Sequence, residues 1–202
     1  MTPSAVVWDL GNVLIDWQPA LAVAEGVGDD EARRFLSGFD FLAWNHRMDA
    51  GETTWQDAED ELARTHPQWA AHARAYRAHF AHSLAGEVPG TRALVETLHA
   101  AGVRQWGLTN WSEELYPHAP GRFEVLALLE DVVVSGRERL AKPDPRIFAV
   151  LVERTGLAAG DLVLVDDRPA NVAAGVAAGL HGVVFTDADA LRVDLRALGL
   201  PA

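Results

Sequence analysis

Cysteine is absent from the 202 residues. That excludes a disulfide framework, a thiol nucleophile and a cysteine-ligated zinc site. Basic residues are scarce beside acidic ones, 17 against 29, for a formal net charge of -12. Such a chain repels a phosphate backbone on average, so nucleic acid is not expected as a partner. A small phosphorylated substrate stays open, because a bound divalent cation and a few local cations reverse the potential inside one cleft. No apolar run is long enough to span a bilayer, so no membrane partner is expected. Met1-Thr2-Pro3-Ser4 lacks a basic run leading into an apolar stretch, and the expected compartment is the cytoplasm. No Gly-x-Ser-x-Gly elbow is present, since neither Ser112-Glu113 nor Ser135-Gly136 has that frame, and a serine hydrolase is not expected. No repeat or low-complexity tract stands out, and nothing speaks to oligomeric state.

What is present is an ordinary globular composition, 49% hydrophobic and 23% charged. The length suits one domain, or one domain with a modest insert. Five short β-rich runs are legible: Ala5 to Trp8, Val103 to Leu108, Asp131 to Ser135, Leu162 to Val165 and Gly182 to Phe185. Most are continuously apolar, as strands buried on both faces of a parallel sheet are. Helical stretches fall between the later ones, over Gly90 to Ala101, Pro145 to Thr155 and Pro169 to Ala178. The alternation predicts an α/β fold with a doubly wound parallel sheet of Rossmann type. The stretch from about Trp17 to Leu84 breaks the rhythm. It holds no convincing strand and is rich in Ala, Glu, Arg, His and Trp, which predicts a helical insert directly after the first strand. The expected division is a core of residues 1–16 and 85–202 and a helical cap of residues 17–84.

In doubly wound sheets, ligands sit beyond the carboxyl ends of the strands. The chemically capable residues fall there. Asp9 ends the first run and precedes Gly11, which would permit unusual backbone angles and close approach. A carboxylate so placed can attack phosphorus, though alone it reads better as a turn-capping Asp. Thr109 and Asn110 end the second run and offer donors to phosphoryl oxygens, or simply cap a turn. Lys142 sits in a loop stiffened by Pro143 and Pro145, either as a held cation facing phosphate or as a solvated residue ahead of a helix. Asp166 and Asp167 end the fourth run as adjacent like charges. A magnesium ion would relieve their repulsion, and this reading is preferred to N-capping of the next helix.

Taken together and in order, Asp-Leu-Gly-Asn-Val from Asp9, Thr109-Asn110, Lys142-Pro143 and Asp166-Asp167 resemble the four motifs of the haloacid dehalogenase superfamily, over nearly the whole chain. The resemblance implies Asp9 as nucleophile and magnesium ligand, with the Gly11 carbonyl also on the metal. It implies Thr109 and Asn110 as phosphoryl ligands, Lys142 as the charge-stabilising lysine, and Asp166 and Asp167 as metal ligands, Asp167 directly or through water. Asn171 stands where many members carry a further acid. The insert resembles the helical cap of the family, and Trp44 to Glu52 resembles the cap segment of a subgroup that begins Asp-Leu-Gly-Asn-Val. On that likeness His46 and Arg47 are expected to touch the leaving group; solvated ends of a helix are the plainer reading.

One departure stands out. Most phosphatases of the superfamily carry a second Asp two positions after the nucleophile, where this chain has Gly11. His46 is the expected substitute acid, since its ordinary pKa of about 6.5 lies near neutrality. The expected activity is magnesium-dependent hydrolysis of a small phosphorylated metabolite through an aspartyl-phosphate. Two rivals are a haloacid dehalogenase and a catalytically weak phosphate-binding protein on the same fold. Dehalogenases of the family usually have Tyr at the Gly11 position and lack the acid pair.

Overall fold

The computed structural model describes residues 2–202. In chain order the elements are β1 (Ala5–Trp8), β2 (Ile15–Trp17), α1 (Pro19–Val27), α2 (Asp29–Gly38), α3 (Phe41–Asp49), α4 (Trp55–Thr65) and α5 (Ala70–Ala78). Then come β3 (Leu84–Glu87), α6 (Thr91–Ala100), β4 (Arg104–Thr109), β5 (Val132–Val134) and the short α7 (Ser135–Glu138). The chain closes with α8 (Pro145–Thr155), β6 (Leu162–Asp166), α9 (Pro169–Ala177), β7 (His181–Val184) and α10 (Ala188–Ala197). No helix of the described residues is long and apolar enough to cross a membrane.

Five strands form one parallel sheet in the order β5-β4-β1-β6-β7. The strands are apolar throughout because each feeds two cores. On β1, Val6 and Trp8 enter one core while Ala5 and Val7 enter the other. On β6, Val163 and Val165 point the first way and Leu162 and Leu164 the second. Helices α6 and α10 cover the first face through Leu94, Leu98, Leu191 and Leu195. The second face takes α8 through Ile147, Phe148 and Leu151. This is the expected α/β doubly wound architecture. The winding reverses at β1, so the crevice for ligands opens at the carboxyl ends of β1, β4 and β6. The buried polar side chain of Gln105 is answered on both sides: it accepts from Trp8 Nε1 at 3.0 Å and donates to the Val95 carbonyl at 3.0 Å.

Helices α1 to α5 lie between β2 and β3, which pair antiparallel with a bulge at Asp16 and Trp17. That ribbon was not expected from the sequence. Strands of three and four residues carry too little alternation to register as a pattern. The C-terminal helix α10 was likewise not read, although Asp187 caps it by accepting from the Ala190 N–H. The inserted helices pack on aromatic rings, with Phe41 edge-on to Tyr76 at 4.9 Å and Trp44 edge-on to Trp55 at 5.4 Å. One apolar cluster runs from Trp8 through Leu10 and Leu14 into Phe41, Trp55 and Tyr76. The insert therefore shares its core with the sheet.

A close backbone contact fixes the loop after β4. A Cβ on Gly136 would stand 2.5 Å from Glu113 N and 2.9 Å from Trp111 O. Both are backbone atoms, so a methyl group forces α7 and that loop apart. Gly136→Ala should lower stability by about 1–3 kcal/mol or more, measured by urea denaturation; an unchanged midpoint would refute this packing.

Candidate active site

Asp9 continues β1, its N–H donating to the Val165 carbonyl at 2.9 Å. Its Oδ1 accepts from the Leu10 N–H at 2.7 Å and lies 3.1 Å from Lys142 Nζ. Oδ2 has no hydrogen-bond partner among the described residues. The turn that follows is made by Asn12, whose φ of 59° is left-handed. Gly11 takes no such conformation, and a Cβ there would meet nothing within 4 Å. The expectation that Gly11 serves a backbone constraint is corrected: Asn12 carries the turn, and Gly11 leaves open space beside Asp9.

Lys142 is fully buried, and its ammonium donates to Asp166 Oδ2 at 2.6 Å and to the Leu108 carbonyl at 2.6 Å. Three acceptors for three N–H groups leave it satisfied. Asn110 sets this geometry. Its Nδ2 donates to the Lys142 carbonyl and its Oδ1 accepts from the Lys142 N–H, both at 2.8 Å. The side chain expected to hold phosphate is thus engaged mainly in positioning the lysine, with one amide hydrogen to spare. Thr109, at the end of β4, lines the cleft above.

Asp166 is wholly buried and accepts from the Arg168 N–H at 2.8 Å. Asn171 donates to its two oxygens at 3.0 and 3.1 Å. Asp9, Asp166 and Asp167 each offer an oxygen within 4.8 Å of the others. Burial pushes the Asp9 carboxyl up, opposed by Lys142 and assisted by Asp166 and Asp167. Burial also raises Asp167, helped by the charge of Asp166. Three carboxylates against one ammonium leave a local charge of about -2, which one divalent cation cancels. An all-oxygen donor set suits a hard ion such as Mg²⁺. The residues present fit a metal.

Above this floor lies a cleft of about 840 Å³, its open mouth included. Its walls are largely apolar: Trp17, Leu42, Tyr76, Phe80, Trp111 and Leu115. Leu42 is 52% exposed at this site. Helix α3 contributes Asn45, His46 and Asp49. Arg47 does not line the cleft; its guanidinium pairs with Glu61 at 2.9 Å. Sequence reasoning passed over Asp49, Trp17, Tyr76 and Arg168. Only Asp49 carried a signal: an acid as the last residue of a helix opposes the helix dipole.

The Asp9 shift has a measurable consequence. Its folded pKa, about 7, stands above the ordinary 3.8, so the metal-free fold holds that proton more tightly than the unfolded chain. That advantage is present at acid pH and is lost as pH rises from about 4 through 7. The size is on the order of a few kcal/mol. Thermal melts of the metal-free protein should show this slope, and Asp9→Asn should lack it. Added Mg²⁺ should raise the melting point more at pH 8 than at pH 5; a pH-independent metal effect would contradict the assignment.

Comparison with known proteins agrees with this geometry. The family description "haloacid dehalogenase-like hydrolase" matches residues 3–179. The chain is 30% identical to phosphoglycolate phosphatase of Rhodospirillum rubrum, over 91% of this chain and 80% of that one. It is 26% identical to hexitol phosphatase A of Escherichia coli, over 93% of this chain and 86% of that one. Among solved structures, a HAD family enzyme of Bacteroides thetaiotaomicron in complex with magnesium and inorganic phosphate superimposes with a TM-score of 0.70 at 16% identity, over 92% of this chain and 95% of that one. The match over most of the length, on a sheet whose strand ends gather a lysine and three aspartates, shows that the chain belongs to the haloacid dehalogenase-like hydrolases.

Proposed function

We propose that this chain is a magnesium-dependent phosphatase that hydrolyses a small phosphomonoester through an aspartyl-phosphate on Asp9. The observation that carries the reading is the buried ammonium of Lys142 bridging Asp9 and Asp166, with Asp167 close enough to share an ion. Relatives named for phosphoglycolate and hexitol phosphates, both small phosphomonoesters, support it.

Asp9, Asp166, Asp167 and the Gly11 carbonyl would hold Mg²⁺, which supplies positive charge beside the phosphoryl oxygens. The other roles belong to the chain's own groups. Leu10 N–H and Lys142 fix Oδ1 of Asp9, so Oδ2 is the oxygen free to attack phosphorus. Lys142, Thr109 and the spare amide hydrogen of Asn110 neutralise charge on the transferring group. The ester oxygen leaves with its electron pair, and water then attacks the aspartyl-phosphate and frees Asp9. Residues 17–84 act as a cap that walls the cleft from bulk water, and His46 meets the alcohol half of the substrate. Dehalogenation attacks uncharged carbon and has no use for two further carboxylates beside the nucleophile. A protein that only bound phosphate would gain nothing from an unpartnered carboxylate oxygen at the floor of its site. The start Asp-Leu-Gly-Asn-Val and the segment Trp44 to Glu52 resemble those of one subgroup of the family, and that likeness supports membership in it.

Asp9→Asn keeps the acceptor for the Leu10 N–H and removes the nucleophile. Magnesium-dependent release of phosphate from 4-nitrophenyl phosphate should fall by several orders of magnitude while the circular dichroism spectrum is unchanged. Full activity in this variant would refute the mechanism.

A further inference from the structure

Attack by Asp9 sends an electron pair onto the ester oxygen, and an alkoxide is a poor leaving group without a proton. On the proposed reading, Thr109 and the spare amide hydrogen of Asn110 are taken up by the phosphoryl oxygens. Asp166 and Asp167 sit with Lys142 at the cation site, and beside Asp9 the chain has only Gly11 and open space. The proton must come from across the cleft, where α3 and α5 contribute Asn45, His46, Asp49 and Tyr76. Asn45 has no proton to give. The Tyr76 hydroxyl is buried, accepts from Trp17 Nε1 at 3.2 Å, and is pushed by burial well above the ordinary phenol range. No hydrogen bond among the described residues fixes the His46 ring.

We propose that Asp49 is the catalytic residue that protonates the departing ester oxygen. Its Oδ1 accepts from the Ser112 N–H at 2.9 Å and its Oδ2 from Asn45 Nδ2 at 2.6 Å. Ser112 lies two residues beyond Asn110, in the loop leaving the strand end that faces the phosphoryl group. The carboxyl is therefore pinned from the core side although its own helix belongs to the insert. A general acid needs that fixed placement before it needs a particular pKa. Position and charge then favour the protonated form. Asp49 ends α3, where the helix dipole opposes a negative charge. Burial pushes its carboxyl well above the ordinary aspartate range, against the pull of the Ser112 N–H and the Arg168 charge. The titratable or charged groups around it are Arg168 from the loop after β6, Tyr76 from α5 and His46 one turn back on α3.

The step balances. The bond from Asp9 Oδ2 to phosphorus forms, the bond from phosphorus to the ester oxygen breaks, and that oxygen takes the Asp49 proton. The alcohol departs and leaves an Asp49 carboxylate, answered by Ser112 N–H and Arg168. In the second half, the carboxylate takes a proton from the attacking water as that oxygen bonds to phosphorus and Asp9 departs as carboxylate. Asp49 is then protonated again.

This assignment rests on the phosphatase reading, and two esters separate their failures. Asp49→Asn retains an acceptor for the Ser112 N–H, puts an amide donor where Oδ2 accepted from Asn45, whose Oδ1 has no other partner among the described residues, and removes the acidic proton. It should be compared with the unsubstituted protein, in Mg²⁺, on 4-nitrophenyl phosphate and on the alkyl phosphate that the unsubstituted protein hydrolyses fastest. Nitrophenolate leaves without help, so kcat/KM, which reads the first half alone, should fall by no more than about threefold on that ester and by about a hundred- to ten-thousand-fold on the alkyl ester, while kcat should fall on both because the second half loses its base. Equal losses of kcat/KM on both esters, or none on either, would overturn the assignment; so would a selective loss of kcat/KM on the alkyl ester in His46→Gln with none in Asp49→Asn. The unsubstituted protein gives a second measurement that needs no variant. Across aryl phosphates of graded leaving-group acidity its rates should vary shallowly, and a steep dependence would overturn the role. No phosphate released from any ester would instead end the phosphatase reading itself.

Discussion

A charged ammonium taken out of water has to be answered on every side, and Lys142 is answered by three groups from three strand ends. Leu108 gives a carbonyl, Asp9 and Asp166 give carboxylates, and the side chain is fully buried. Such a pair adds little to net stability, because desolvation offsets most of the Coulomb gain. Its effect is geometric. Leaving any member unpaired in a buried site costs several kcal/mol, so β1, β4, β6 and the loop before α8 are held in one register. Asn110 and Asn171 complete the arrangement by fixing the lysine backbone and the Asp166 carboxylate. The sheet brings the strand ends near each other; the ion pair decides which atoms meet.

The same cluster is incomplete in a particular direction. Lys142 has no donor to spare, while the carboxylates still carry excess negative charge. Burial and mutual repulsion raise Asp9 and Asp167 together. The electrostatic imbalance and the all-oxygen ligand set both call for a hard divalent cation. The floor of the cleft thus combines a saturated positioning network with a charge deficit that a ligand can fill.

Much of this was legible in the chain because the relevant signals are local. The run Leu162 to Val165 is apolar at every position because both faces are covered, and Asp166 follows where burial gives way to the crevice. Helix α8 carries its own punctuation, with Asp144 at the cap, Pro145 in the first turn and left-handed Gly156 at the end, so Pro145–Thr155 was readable to the residue. What escaped is set by tertiary contact. The β2–β3 ribbon joins three residues to four across a span of helices, and neither strand has a pattern of its own. Trp17 and Tyr76 meet only through that ribbon and α5. Gly11 was misread for a related reason: sequence shows that a side chain is missing but not whether the backbone or the neighbouring space requires it.

That open space beside Asp9 is what draws the insert into the proposed chemistry. With Gly11 rather than an acid two residues after Asp9, the two halves of the proposed reaction would fall on opposite walls of the cleft. Asp9, Asp166 and Asp167 lie at the ends of the sheet strands; Asp49 lies on α3. The Asp49 carboxyl is nevertheless tied to Ser112 in the core, so the proposed proton donor would stay in register with Asp9 only while α3 rests against that loop. Gly51, Gly136 and Ser135 make the resting contact close. Gly51 is left-handed and tight against the Gly136 carbonyl, and the Ser135 hydroxyl donates to the Asp49 carbonyl. An acid placed there would, on the proposed mechanism, deliver its proton inside a cleft whose apolar walls exclude water.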